Sequence, residues 1–166
     1  TIGGQTRYYL AALNASDGSA VTGWDPVVNN EVDALVLSNG VLYAGGAFTY
    51  IDSTPRNFIA ALDASTGGLV TSFNPDADNS VFAILVSGST VYAGGNFTDI
   101  GGQTRYRLAA LNASDGTAID GWATVFNSSV RALFITDDAL YTGGSFSTPN
   151  HYLSALDPES GALINY

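Results

Sequence analysis

The chain contains no cysteine, no methionine and no lysine. Without cysteine it can form no disulfide framework, thiolate metal site or cysteine nucleophile. Without lysine, its positive charge rests on five arginines against fifteen Asp and Glu, for a formal net charge of −10. A surface of that sign repels phosphate backbones and anionic lipid, so neither nucleic acid nor a membrane is expected as a partner. Charged residues make up only 12% of the chain, which leaves Ser, Thr, Asn and Gly to supply the polar surface, as in many extracellular β proteins. No apolar run approaches the roughly 20 residues that cross a bilayer, and no window sustains a helical period. Neither an initiator Met nor a signal peptide is present, so Thr1 is expected to begin a processed product or a piece of something longer. With 46% hydrophobic residues over 166 positions, the chain can bury a sizeable core.

What the chain does have is a repeat. The glycine pairs Gly45-Gly46, Gly94-Gly95 and Gly143-Gly144 are spaced 49 residues apart, and Trp24, Phe73 and Trp122 keep the same step. So do Arg7, Arg56 and Arg105, while the hexapeptide GGQTRY at 3–8 returns at 101–106. A fourth copy is shortened by four residues, since Leu111 and Leu156 stand only 45 apart. Within a unit, period-2 alternation and turn residues mark four short strands. In the second unit these are Val32–Val36, Val41–Phe48, Asn57–Asp63 and Leu69–Phe73. A period of 49 with four strands fits a propeller blade and exceeds a solenoid coil of roughly 20–30 residues. The expected fold is therefore all-β, a partial β-propeller of about three and a half four-stranded blades. Residues 1–30 read as an outer half-blade, followed by blades at 31–79, 80–128 and 129–166, the last closing on the aromatic Tyr166. The glycine pairs are expected to let neighbouring sheets converge.

The combination LYAGG-x-F, R-x-x-L-A-A-L-N/D-A-S-x-G and W-x-P resembles the delta-60 tandem repeats of large secreted bacterial proteins. That resemblance implies a propeller of unassigned function, placed outside the cell or on its surface. A second likeness is to quinoprotein (PQQ) blades, whose A-x-D-x-x-T-G segment is similar to Ala61–Gly67. Here the aromatic Phe73 follows six residues after the glycine, and Asn14 and Asn112 replace the Asp, so no cofactor residue follows from that likeness.

Residues that recur with the period build the fold, and function sits where copies differ. Trp24, Phe73 and Trp122 could stack on sugars, but recurrence assigns them to the space between blades. Arg7, Arg56 and Arg105 could hold an anion, and recurrence favours an ion pair or bonds to carbonyls at a blade junction. The turns at Asn14–Gly18, Asp63–Gly67 and Asn112–Gly116 carry oxygens that calcium could use. Asx-type turns need the same residues for their own backbone, and calcium needs six to eight oxygens. No cofactor is expected, with calcium kept as the alternative at these turns. Sequons place candidate glycosylation at Asn14, Asn112 and Asn127; a fourth, at Asn96, falls in a strand.

No G-x-S-x-G, P-loop or H-E-x-x-H motif occurs, and the single His151 has no nucleophile paired with it by motif. Glu31, Asp33 and Arg131 break the repeat near inner strands and are too few to argue catalysis. A non-enzymatic secreted or surface module for binding, adhesion or assembly is expected. The alternatives are a fragment of a glycan-active or quinone-dependent propeller enzyme and a structural subunit of a surface layer or filament. Two copies of the chain would supply outer half-blades without inner ones. The open blade edges are therefore expected to be covered by the rest of a longer chain or by another subunit, with a protein or carbohydrate ligand.

Overall fold

The computed structural model describes residues 1–164, and every regular element among them is a β-strand. The second unit builds β1 (Val32–Ser38) and β2 (Val41–Gly46), then a small hairpin of β3 (Tyr50–Ile51) and β4 (Thr54–Pro55), then β5 (Ile59–Asp63). The third unit repeats this with β6 (Val81–Ser87), β7 (Thr90–Gly95), β8 (Asp99–Ile100), β9 (Gln103–Thr104) and β10 (Leu108–Asn112). The fourth has β11 (Val130–Ile135), β12 (Leu140–Gly144) and β13 (Leu153–Leu156), and its four-residue deletion removes the small hairpin. Each unit is an antiparallel meander in the order β1-β2-β5, β6-β7-β10 and β11-β12-β13.

The expected fourth strand is reduced to a single bridge in every unit: Leu13 to Ala20, Leu62 to Leu69, Leu111 to Ala118 and Leu156 to Leu163. The cause is local. After Val70 donates to the Ala61 carbonyl at 2.8 Å, the chain turns so that Phe73 N–H reaches Val70 O, and the aromatic leaves its own sheet for the next one. Residues 1–30 likewise form bridges and no regular strand, although Leu10–Leu13 align with β5. Within residues 1–30 there is no counterpart of β2 to pair with them. The closing aromatic expected at Tyr166 lies outside the described residues.

The units pack side by side through their faces. The inner strands β1, β6 and β11 lie against one another in succession, and three apolar clusters fill the gaps between units. Alternation along one strand sorts side chains between two gaps. Ile59 and Ala61 of β5 face the third unit, and Ala60 and Leu62 face the first. In β10, Leu108 and Ala110 face the fourth unit, and Ala109 and Leu111 face the second. The third strands β5 and β10 are thus buried on both faces, which is why they read as continuous apolar runs rather than alternating ones. Sheets stacked radially with their inner strands in one row form a partial β-propeller. At about 1.5–3 kcal/mol per fully buried large apolar side chain, these gaps dominate stability.

Candidate functional site

The recurring aromatics join each blade to the next. Trp24 donates its indole N–H to Ala64 O at 3.0 Å, and Trp122 donates to Pro158 O at 2.9 Å, in both cases a carbonyl in the following blade's turn. The indole of Trp122 lies against Gly161, where an added Cβ would fall 2.9 Å from the ring. At Gly67 an added Cβ would fall 3.2 Å from Pro26 and 3.4 Å from the Trp24 ring, a looser version of the same contact. Phe73 cannot donate. It packs edge-on to Tyr43 at 5.2 Å, and Pro75 takes over the contact with Gly116. These receiving glycines have φ between 72 and 82°, so the dock requires both their backbone freedom and their missing side chain. Gly18, the equivalent in the first unit, has nothing within 4 Å of its Cβ direction.

The receiving turns are stiffened by aspartates. Asp63 accepts bonds from the hydroxyls and amides of Ser65 and Thr66, led by the Ser65 hydroxyl, and its pKa falls from 3.8 to about 2. Asp17 and Asp115 are lowered by the amides and hydroxyls of Ser19 and Thr117, and Asp157 by those of Ser160. A carboxylate with a depressed folded-state pKa contributes stability above its unfolded value and loses it as pH falls through the folded value. The melting temperature is therefore expected to drop as pH falls from about 4 to about 2, and Asp63→Asn should flatten that drop in a thermal melt series.

The two glycines of each pair do different work. A Cβ on Gly45 would meet Val81 of the next blade at 2.8 Å, and one on Gly94 would meet Val130 at 2.7 Å. Gly143, with no blade beyond it among the described residues, meets nothing closer than 3.5 Å. The second glycine faces its own blade. Cβ atoms on Gly46, Gly95 and Gly144 would overlap the carbonyls of Glu31, Ser80 and Ser129. The expectation that both glycines serve sheet convergence is corrected here: the second lets the chain cross the start of its own inner strand.

The arginines are tied to backbone. Arg56 donates to Pro55 O and Thr71 O, and Arg105 to Thr104 O, Ile119 O and the Gln103 side chain. Arg7 donates to Thr6 O and Gln5 and pairs with Asp25 at 3.4 Å. The sequon amides also have local partners. Asn14 Nδ2 donates to the Ser19 hydroxyl, Asn112 to Thr117 and Asn127 to Ser147, while Asn127 Oδ1 accepts from the Ser147 and Thr148 amides. A glycan at any of them would be attached at that same donating nitrogen.

The fourth blade departs from the repeat in its polar groups. Thr142 and Ser154 are buried where the other blades carry Ala44, Ala93, Ala60 and Ala109, and among the described residues the Ser154 hydroxyl has no partner. Ser154→Ala is expected to stabilise the chain by about 1 kcal/mol in denaturant unfolding, because it removes an unpaired buried hydroxyl. Between the third and fourth blades a cavity of about 550 Å³ is lined by Asp137, Asp138, Asp157, Glu159, Tyr92 and Trp122. Burial first, and then Asp157 and Glu159, push the Tyr92 hydroxyl pKa up. Among the described residues no group of three or more His, Asp or Glu is arranged as metal ligands. His151 is exposed, beside Tyr152.

Each inner strand carries a register shift at one residue. Val32 pairs with Gly46 and Ala34 with Gly45, which leaves Asp33 as the extra residue of a bulge; Phe82 and Arg131 are its equivalents. Bulges re-aim a side chain out of the pleat. The Arg131 guanidinium lies 4.6 Å from the Phe82 ring centroid, bringing two successive bulge residues together. Asp33 is exposed although the next blade packs beside its strand. Glu31 is also exposed.

Residues 87–118 match the family model described as "Domain of unknown function (DUF5122) beta-propeller". This is a β-propeller repeat of unknown function. The matched stretch runs from the end of β6 through β7, the small hairpin and β10 to the Ala118 bridge, which is most of one blade with its receiving turn. No curated protein matches the chain.

Proposed function

We propose that this chain is a non-enzymatic, secreted or surface-displayed propeller module of the delta-60 type, serving binding, adhesion or assembly, with its open end faces completed by further blades of a longer chain or another subunit. The observation that carries this reading is a contrast between equivalent positions. Ile59 and Leu108 are fully buried in the inner blades, whereas their counterpart Leu153 is 63% exposed on the last one. At the other end, Leu13 is 42% exposed where Leu62, Leu111 and Leu156 are fully buried, and Leu35 and Leu37 of β1 are exposed too. A face that is core in two copies and surface in a third calls for another copy of the same kind.

Fusing an additional copy of residues 31–98 in front of Thr1 tests the reading, because residue 1 aligns with residue 99 and the fusion completes the first blade. The amides of Leu10–Leu13 are then expected to exchange at least tenfold more slowly. Unchanged exchange would contradict completion of the first blade by a preceding copy. Turnover of a glycan or alcohol substrate, lost when inner-strand carboxylates are replaced, would contradict the non-enzymatic role.

A further inference from the structure

We infer that Arg131, stacked on Phe82 along the inner-strand row, is a binding site for a ligand carrying a single carboxylate, such as an acidic sugar. The inference deepens the binding role proposed above and rests on it. Four of the five arginines spend their guanidinium on the protein: Arg7, Arg56 and Arg105 on the partners named above, and Arg107 on the Asn96 and Phe97 carbonyls. Among the described residues Arg131 donates no hydrogen bond and has no carboxylate within ion-pair distance, although the chain carries fifteen acids. Its one contact of this kind is the Phe82 ring, 4.6 Å away. That contact seats the guanidinium against the ring and leaves its N–H donors without a protein partner, free to meet a planar carboxylate through two parallel bonds.

The position argues for recognition rather than architecture. The bulge holds Asp33, Phe82 and Arg131 in successive blades, so chemistry changes completely at a site whose backbone geometry repeats. The position is not a seal between blades, since Asp33 stays exposed with the following blade in place. A half-buried aromatic and a free cation on neighbouring strands offer a ring face and a fork together. The guanidinium fork matches a planar carboxylate, and a phosphate dianion, which meets about twice the repulsion of the −10 chain and about twice the attraction of the guanidinium, is the competing anion that the test separates.

The test is a titration of the intact chain, followed by nuclear magnetic resonance, with D-glucuronate, glucose and glucose 6-phosphate. Glucuronate is expected to shift the Arg131 Nε–H and Phe82 ring signals saturably, glucose to leave them in place, and glucose 6-phosphate to bind more weakly than glucuronate. Arg131→Gln should cut glucuronate affinity at least tenfold. Arg131→Lys, which keeps the charge and loses the fork, should cut it several-fold. Arg131 is exposed, so both variants should fold, as their remaining spectra will show. The proposal is overturned if glucose shifts the same signals as strongly, if glucose 6-phosphate binds more tightly, if Arg131→Gln binds glucuronate as the parent does, or if no ligand shifts these signals. The fusion experiment reads blade edges and this titration reads the inner strands, so either can fail alone.

Discussion

Replacing Trp122 with Ala is expected to lower the unfolding free energy by about 3–5 kcal/mol, a large share of the roughly 5–15 kcal/mol that holds a domain together. The ring is 1% exposed, packs with Tyr92 at 5.7 Å, lies on Gly161 and donates to Pro158 O. Truncation empties the gap between the third and fourth blades and leaves Leu108, Leu140 and Leu156 around a cavity. Trp122→Phe separates packing from hydrogen bonding. Phe73 already fills the equivalent place without a donor, and the Pro158 carbonyl keeps the Tyr92 hydroxyl at 2.9 Å. The Phe variant should therefore cost about 1 kcal/mol. Urea unfolding of the two variants measures both effects, and equal losses would mean that the ring stabilises the junction mainly through its hydrogen bond and not through packing.

The second large effect contrasts two glycines of one motif. Gly94→Ala forces a methyl to within 2.7 Å of Val130 on the next blade and is expected to cost about 1–3 kcal/mol as the sheets are pushed apart. Gly143→Ala places the same methyl where the nearest atom is 3.5 Å away, so its cost should stay within about 0.5 kcal/mol. Sequence equivalence alone predicts the same penalty at both sites. Only the presence of a neighbouring blade separates them. Denaturant midpoints of the two variants decide the matter, and similar losses would show that the first glycine serves its own strand.

The radial architecture was legible because its signals are periodic and made of distinctive residues. The 49-residue step and the glycine pairs recur from copy to copy, and the shortened copy keeps its own pair. What stayed hidden has physical reasons. Gly46 and Gly95 look like their partners in the pair, and only the folded chain shows that they meet Glu31 and Ser80 carbonyls of their own blade. The residue before the third strand has φ of 63–70° at Tyr9, Phe58, Arg107 and Tyr152, and at the last three its carbonyl or amide reaches back to the glycine pair and to Phe48, Phe97 or Phe146. Bulky residues carry no sequence mark of a left-handed backbone, so no pattern of residue types could have found that position. The bulge at Asp33, Phe82 and Arg131 is a single extra residue in a short alternating run, which period counting absorbs. The fourth strand read as a strand because Leu69–Phe73 has strand composition, yet its end is spent on docking the next blade.

The chain has only two tryptophans, and both lie at blade junctions, so their indole protons report directly on whether the blades are sealed face to face around an axis. A nuclear Overhauser spectrum should connect the Trp24 indole proton to the Ala64–Gly67 turn and the Trp122 indole proton to the Pro158–Gly161 turn, with both protons slow to exchange. Indole protons that exchange freely and show no cross-peak to either turn would contradict the radial arrangement of blades.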